Sequence, residues 1–234
     1  MCLNEIWLKP DELHVISETL EDSPLLNEKY IVIAKSGMQD VEPDYTGRPF
    51  GGTAIICKQS KRFYVKETKV ENNRVTAINI CDPKGNVLQT VLSVYMPYYD
   101  RSKPGQTNLY VEALDAIQSY IDSNESVAPI KIFGDFNVQL PRNSKLHRSW
   151  YKKHGFNNHS KLMYDFLAEN ELSVAGHLFP QSVKYTYFCH DKQAYSWIDH
   201  VASSSHDLHN IVNCQIIPLD CDNLSDHLPV RVTI

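Results

Sequence analysis

The chain has 234 residues, a formal charge of −5 from 23 basic and 28 acidic side chains, and 42 % hydrophobic residues. That length supports one α/β domain spanning residues 1–234, with no linker, repeat or low-complexity tract to divide it. The balance does not point to a passive, charge-driven nucleic-acid binder, the longest apolar runs are too short to span a membrane, and residues 1–10 carry no signal-peptide pattern.

In chain order, Leu3 to Leu8 reads as a short strand, and Pro10-Asp11 opens a helix with Leu13, Ile16 and Leu20 on one face. Strands follow at Tyr30–Ala34, Thr53–Lys58 after Gly51-Gly52, Arg62–Glu67, Val75–Ile80 and Val87–Tyr95. Asp82-Pro83-Lys84-Gly85-Asn86 is the turn of a hairpin between the last two. Leu109, Ala113, Ile117 and Ile121 recur every four residues and predict a helix before a buried strand at residues 130–133. Ser160 is the expected N-cap of a further helix carrying Leu162, Phe166 and Leu167. Short strands are expected around Leu172–Ala175, Tyr185–Phe188, Trp197–Ala202, Ile211–Ile217 and Leu228–Val232. Many strands, few helices and hairpin turns point to two packed mixed, mainly antiparallel sheets with helices outside, a four-layer α/β sandwich.

The chemistry gathers where strands end. Ile130-Lys131-Ile132-Phe133 runs into Gly134-Asp135-Phe136-Asn137, delivering a carboxylate and an amide two residues apart, a spacing that puts both on one face of an extended segment. An Asx turn is the alternative for that pair. Ser196-Trp197-Ile198-Asp199-His200 and Ser225-Asp226-His227-Leu228 repeat the design. A carboxylate such as Asp199 beside an imidazole such as His227 would fix its tautomer and strengthen the other nitrogen's hold on a phosphoryl oxygen. Glu5, among Leu3, Ile6, Trp7 and Leu8, needs a cation, a donor or an exit to solvent, and a hard divalent ion suits it. Asp226 is a second candidate on the metal side, and Tyr95 carries a hydroxyl able to donate to a phosphate. Thr186 and Ser196 are explained as well by structural hydrogen bonds as by substrate contacts.

The segment from Arg142 to His154, with Arg148, Lys152 and Lys153 among its cations and Trp150 and Tyr151 among its rings, is a candidate contact to the sugar-phosphate backbone; a solvated loop explains it about equally well. His159, His190, His200 and His206 read as surface or packing histidines. Six cysteines show no paired spacing and no zinc rhythm, which suits a reduced intracellular protein.

In this order, Asn4-Glu5-Ile6-Trp7-Leu8, Gly51-Gly52-Thr53-Ala54-Ile55, Val94-Tyr95-Met96-Pro97, Gly134-Asp135-Phe136-Asn137, Tyr185-Thr186-Tyr187-Phe188, Ser196-Trp197-Ile198-Asp199-His200 and Ser225-Asp226-His227 resemble the endonuclease/exonuclease/phosphatase superfamily, most of all the endonuclease domain of non-LTR retrotransposons. The resemblance implies a Mg²⁺- or Mn²⁺-dependent endonuclease that nicks DNA. Glu5 and Asp226 would serve the metal, Asp135 the attacking water, and Asn137 both water and phosphate. Tyr95 would support the phosphate or leaving group, Asp199 would orient His227 against the scissile phosphate, and Thr186 and Ser196 would lie near nucleic acid. It also implies association with a reverse transcriptase and a nuclear location. The family's usual first strand, bearing an Asn, would precede Met1, so an N-terminally truncated domain is expected. A phosphodiesterase or phosphatase acting on a small molecule, and a catalytically silent binding remnant, are the alternatives.

Overall fold

The computed structural model describes residues 1–24, 27–39, 41, 45–103, 105–124, 128–141, 157–218 and 223–234. The basic segment 142–154, with Arg148, Lys152 and Lys153, lies outside the described residues. The fold class is the expected one: α/β, with antiparallel and mixed sheets flanked by helices, a four-layer α/β sandwich. Backbone proximity groups the chain into two compact units, one formed by Met1–Tyr95 with Asp115–Gly134, the other by Met96–Leu114 with Asp135–Ile234.

The first unit holds β1 (Cys2–Asn4), α1 (His14–Glu21), β2 (Tyr30–Lys35), β3 (Thr53–Lys58), β4 (Tyr64–Thr68), β5 (Val75–Cys81), β6 (Val87–Tyr95) and β7 (Ile130–Asp135, up to Gly134). One sheet runs β1-β3-β2, antiparallel throughout, with Leu3 opposite Ala54 and Ile33 opposite Ile55. The other sheet, six-stranded in all, contributes its strands β4-β5-β6-β7, in that order, to this unit. The two meet over Ile33, Ile55, Ile78 and Val91, with Ile31, Val65 and Phe133 packed around them. Alternation along each strand puts these residues on the inner faces, and each such burial contributes about 1.5–3 kcal/mol. The turn between β5 and β6 is the expected one: Asp82 Oδ1 accepts from the N–H groups of Lys84 and Asn86 at 2.8 and 2.9 Å.

The expected strand over Leu3–Leu8 stops at Asn4. Glu5 and Trp7 both have positive φ, 52° and 50°, so the chain leaves the sheet at Glu5 instead of continuing through it. The Trp7 N–H donates to the Gly51 carbonyl at 3.1 Å, which anchors that departure.

The second unit holds α3 (Asn158–Glu169), β8 (Leu172–Val174), β9 (Tyr187–Cys189), β10 (Ala194–Ser196), β11 (Asp199–Ser204), β12 (Asn213–Ile216) and β13 (Val230–Thr233). Strand β11 pairs antiparallel with β8, β9 with β10, and β12 with β13. The long helix α2 (Gly105–Ser123) belongs to the second unit up to Leu114 and to the first from Asp115.

Two local expectations change. The N-cap of α3 is Asn157, whose side chain accepts from the Ser160 N–H at 2.9 Å; Ser160 itself sits inside the first turn. Asn and Ser compete for such a position, and the extended φ/ψ of Asn157 decides it. Between the expected strands around Tyr185–Phe188 and Trp197–Ala202 the chain adds one more, β10, reached from β9 through a tight turn with Gln193 at φ 50°. Among the described residues no helix is long and apolar enough to cross a membrane, and the described cysteines, Cys2, Cys57, Cys81, Cys189 and Cys214, are all free thiols.

Candidate active site

The second unit brings Asp135, Asn137, Asp199 and His227 together. Asp135 ends β7, and Asn137 follows in the left-handed region, φ 52°, a conformation Asn tolerates better than most residues. The Asn137 N–H donates to Asp135 Oδ1 at 2.7 Å, and its Nδ2 donates to Asp135 Oδ2 at 2.9 Å and to the Met96 carbonyl at 2.8 Å. The Asx turn is therefore formed, and it is the device that aims both side chains. Both amide protons of Asn137 are engaged, so its Oδ1 is the atom able to meet a water.

Asp199 opens β11 and His227 precedes β13. His227 Nδ1 lies 2.9 Å from Asp199 Oδ2, which assigns the proton-bearing Nδ1 to the carboxylate and leaves Nε2 for a substrate. Burial opposes charge on this imidazole, but the Asp199 hydrogen bond and the carboxylates of Asp199, Asp135 and Asp226 outweigh it and lift the pKa from 6.5 to about 9. His227 is thus an imidazolium through the neutral range. The Tyr187 ring packs against it, centroids 4.8 Å apart, and Ser225 Oγ accepts from the His227 N–H at 3.0 Å.

Thr186, expected beside nucleic acid, is fully buried. Its Oγ1 accepts from the N–H groups of Ile198 and Asp199, each at 3.0 Å, while its carbonyl accepts from the Leu228 N–H at 2.6 Å. One residue therefore holds the backbone on both sides of the Asp199–His227 pair. Thr186→Val keeps the shape but strands two donors, costing about 1–3 kcal/mol for each unpaired group. The expected result is a lower denaturation midpoint and a rate loss that Thr186→Ser does not share; equal behaviour of the two variants would show that the hydroxyl is idle.

Ser196 is half-buried, with its carbonyl accepting from the Thr186 N–H at 2.9 Å. Asp226, one residue from His227, is exposed and stands outside the ligand cluster described below. His159 and His200 are packing residues: His159 bonds Thr107 and the Pro97 carbonyl, and His200, pushed down to about 4 chiefly by burial, bonds the Val138 carbonyl. His190 and His206 are exposed.

Glu5 and Tyr95 belong to the first unit. The Glu5 carboxylate is half-buried and has no hydrogen-bond or ion-pair partner among the described residues. Half-buried Tyr95 ends β6 beside Gly51: a Cβ built on Gly51 would sit 3.6 Å from the Tyr95 ring.

Asp135, Asp199 and His227 offer one ligand atom each within 4.8 Å of one another. Two carboxylates suit a hard divalent cation, and the Glu5 carboxylate, unpartnered among the described residues, suits one equally well. An imidazolium is no ligand, so an ion held by all three groups would have to displace the His227 proton.

Tyr187 lies within a segment that resembles the family, but an aromatic in a strand reads as packing; its place opposite His227 comes only from the fold.

A family described as "Endonuclease-reverse transcriptase" matches residues 89–231, more than half of the chain. The chain belongs to the endonuclease/exonuclease/phosphatase superfamily. No curated relative matches it by sequence. Solved structures agree on the fold. AP endonuclease LMAP from Leishmania major is 16 % identical, with 99 % of this chain and 76 % of that one covered and a TM-score of 0.70. The 3'-5' exonuclease NExo from Neisseria meningitidis is 16 % identical, with 99 % and 87 % covered and a TM-score of 0.67. The endonuclease domain of TRAS1, a telomere-specific non-LTR retrotransposon, is 16 % identical, with 86 % and 76 % covered and a TM-score of 0.55. Family and cluster together make this superfamily member a metal-dependent phosphodiester hydrolase in type.

Proposed function

We propose that the chain is a Mg²⁺- or Mn²⁺-dependent endonuclease that nicks DNA, of the kind carried by non-LTR retrotransposons. The observation that carries the reading is the Asp199–His227 ion pair at 2.9 Å beside the Asp135–Asn137 turn. Asp135 accepts the proton of an attacking water, which Asn137 Oδ1 helps to align. The His227 Nε2–H donates to a non-bridging phosphoryl oxygen, and its positive charge offsets the charge that builds there. Asp199 holds that imidazolium in one orientation. Tyr95 supports the phosphate or the leaving oxygen, Glu5 and Asp226 serve the ion, and Ser196, Arg148, Lys152 and Lys153 contact the nucleic acid. A bound divalent ion supplies charge neutralisation and lowers the pKa of a coordinated water. The family description supports association with a reverse transcriptase, and a nuclear site of action follows from that role.

Supercoiled plasmid is the decisive substrate. Nicking is expected in Mg²⁺ or Mn²⁺, lost in EDTA, and falling on the alkaline side as His227 loses its proton, at or below the metal-free value of about 9 because a bound cation offsets the carboxylates that raise it. Metal-independent nicking, or a rate that keeps climbing above that pH, would remove the mechanism.

A further inference from the structure

The first unit carries a guanidinium that the proposed chemistry does not yet use. Arg74 stands just ahead of β5, opposite the end of β6, and the Tyr95 N–H donates to its carbonyl at 2.9 Å. That ladder bond fixes Arg74 across from Tyr95. Its Cζ lies 5.6 Å from the Tyr95 ring centroid, and its Nη1 reaches the Tyr95 carbonyl at a long 3.5 Å.

The side chain is half-buried, and burial lowers its pKa. Among the described residues no carboxylate pairs with it, and the bond to the Tyr95 carbonyl is the single hydrogen bond its guanidinium makes. Five N–H donors with one weak acceptor are a poor arrangement for a charge taken partly out of water. The structural alternative is a guanidinium kept for its packing over the ring. A ring contact of that kind contributes about 0.5–2 kcal/mol and leaves all but one of the donors without an acceptor among the described residues. A planar fork with spare donors matches the paired oxygens of a phosphate.

Its neighbours are the residues expected to handle the substrate. Tyr95 packs beside Gly51, and Gly51 accepts from the Trp7 N–H, which ties the Glu5–Trp7 segment to the same edge. A second guanidinium, Arg48, lies over the Trp7 ring at 3.7 Å, also without a carboxylate partner among the described residues.

We propose that Arg74, held over Tyr95, is a phosphate-binding residue that grips a backbone phosphate of the DNA. This rests on the nuclease reading given above, and it adds a residue to which no sequence motif pointed.

The test uses a fluorescently labelled DNA duplex in EDTA, where binding is read without cleavage. Arg74→Met keeps the apolar stem, so its melting temperature reports packing separately. The expected result is roughly a tenfold weaker affinity and a log K against log salt slope shallower by about 1. Arg74→Lys restores the slope but only part of the affinity, because an ammonium lacks the fork. Affinity and slope unchanged in Arg74→Met would overturn the proposal. Should that variant fail to fold, wild-type affinity in Arg74→Lys would overturn it instead, and reduced affinity with an unchanged slope would support it. Wild-type binding with no metal-dependent nicking would sink the nuclease reading alone, whereas a wild type that does not bind the duplex would sink both.

Discussion

Asp135→Asn is expected to leave a folded chain whose plasmid nicking falls by a factor of about 10²–10³, the usual consequence of removing one group that acts on developing charge. The carboxylate is buried, and it is the acceptor for both the backbone and the side-chain N–H of Asn137. An amide at position 135 keeps the volume and one of these bonds, but presents its own NH₂ to the other. The local cost is about 1–3 kcal/mol, well inside what a domain of this size tolerates. The chemical cost is larger, because the general base is gone and the charge holding His227 protonated is reduced. Circular dichroism and a urea midpoint establish the fold; single-turnover nicking in Mn²⁺ reads the chemistry. A variant cutting within threefold of wild type would take Asp135 out of the reaction.

Gly134→Ala is expected to do the opposite, damaging the fold before the chemistry. Gly134 has φ 152°, and a Cβ built on it would fall on the Val94 carbonyl, with the Val94 nitrogen only 3.0 Å away. The obstacle is β6 backbone in the middle of a sheet, not the end of a flexible side chain, so relief requires the two strands to separate. Overpacking into rigid backbone costs about 3 kcal/mol or more, enough to consume a large share of a typical domain's stability. A urea denaturation curve should show the midpoint falling sharply, with nicking lost in proportion to the folded fraction. A midpoint within 0.3 M of wild type, a margin on the order of experimental error, would show that β6 and β7 have more freedom than this close approach implies.

How much of this was legible beforehand follows from the range of the forces involved. Strands β3 and β6 could be bounded to the residue because alternation, Gly51-Gly52 and the Asp82 turn are local, and local sterics act within a few residues. The pairing of Asp135 with Asn137 was equally local: two residues of separation on a strand end set it. Where local signals competed, reading failed. Leu3–Leu8 is apolar enough for a strand throughout, yet the hydrogen bond of Trp7 to Gly51, forty-four residues away, turns the chain out of the sheet at Glu5.

By itself, then, the sequence determined the superfamily pattern, the α/β class and the acidic, amide and imidazole groups available for catalysis. The tertiary structure alone decided which of them meet. Asp199 and His227 lie 28 positions apart, and their 2.9 Å contact depends on Thr186 binding the backbone beside both. Nothing in the composition around Thr186 separates a buried clamp from an exposed substrate contact. Arg74 gives no motif either, since its use comes from standing across a strand pair from Tyr95 with a single acceptor among the described residues. The physical reason is common to both: a side chain's role depends on burial and on partners distant in sequence, which only the closed ladders and packed faces bring within reach.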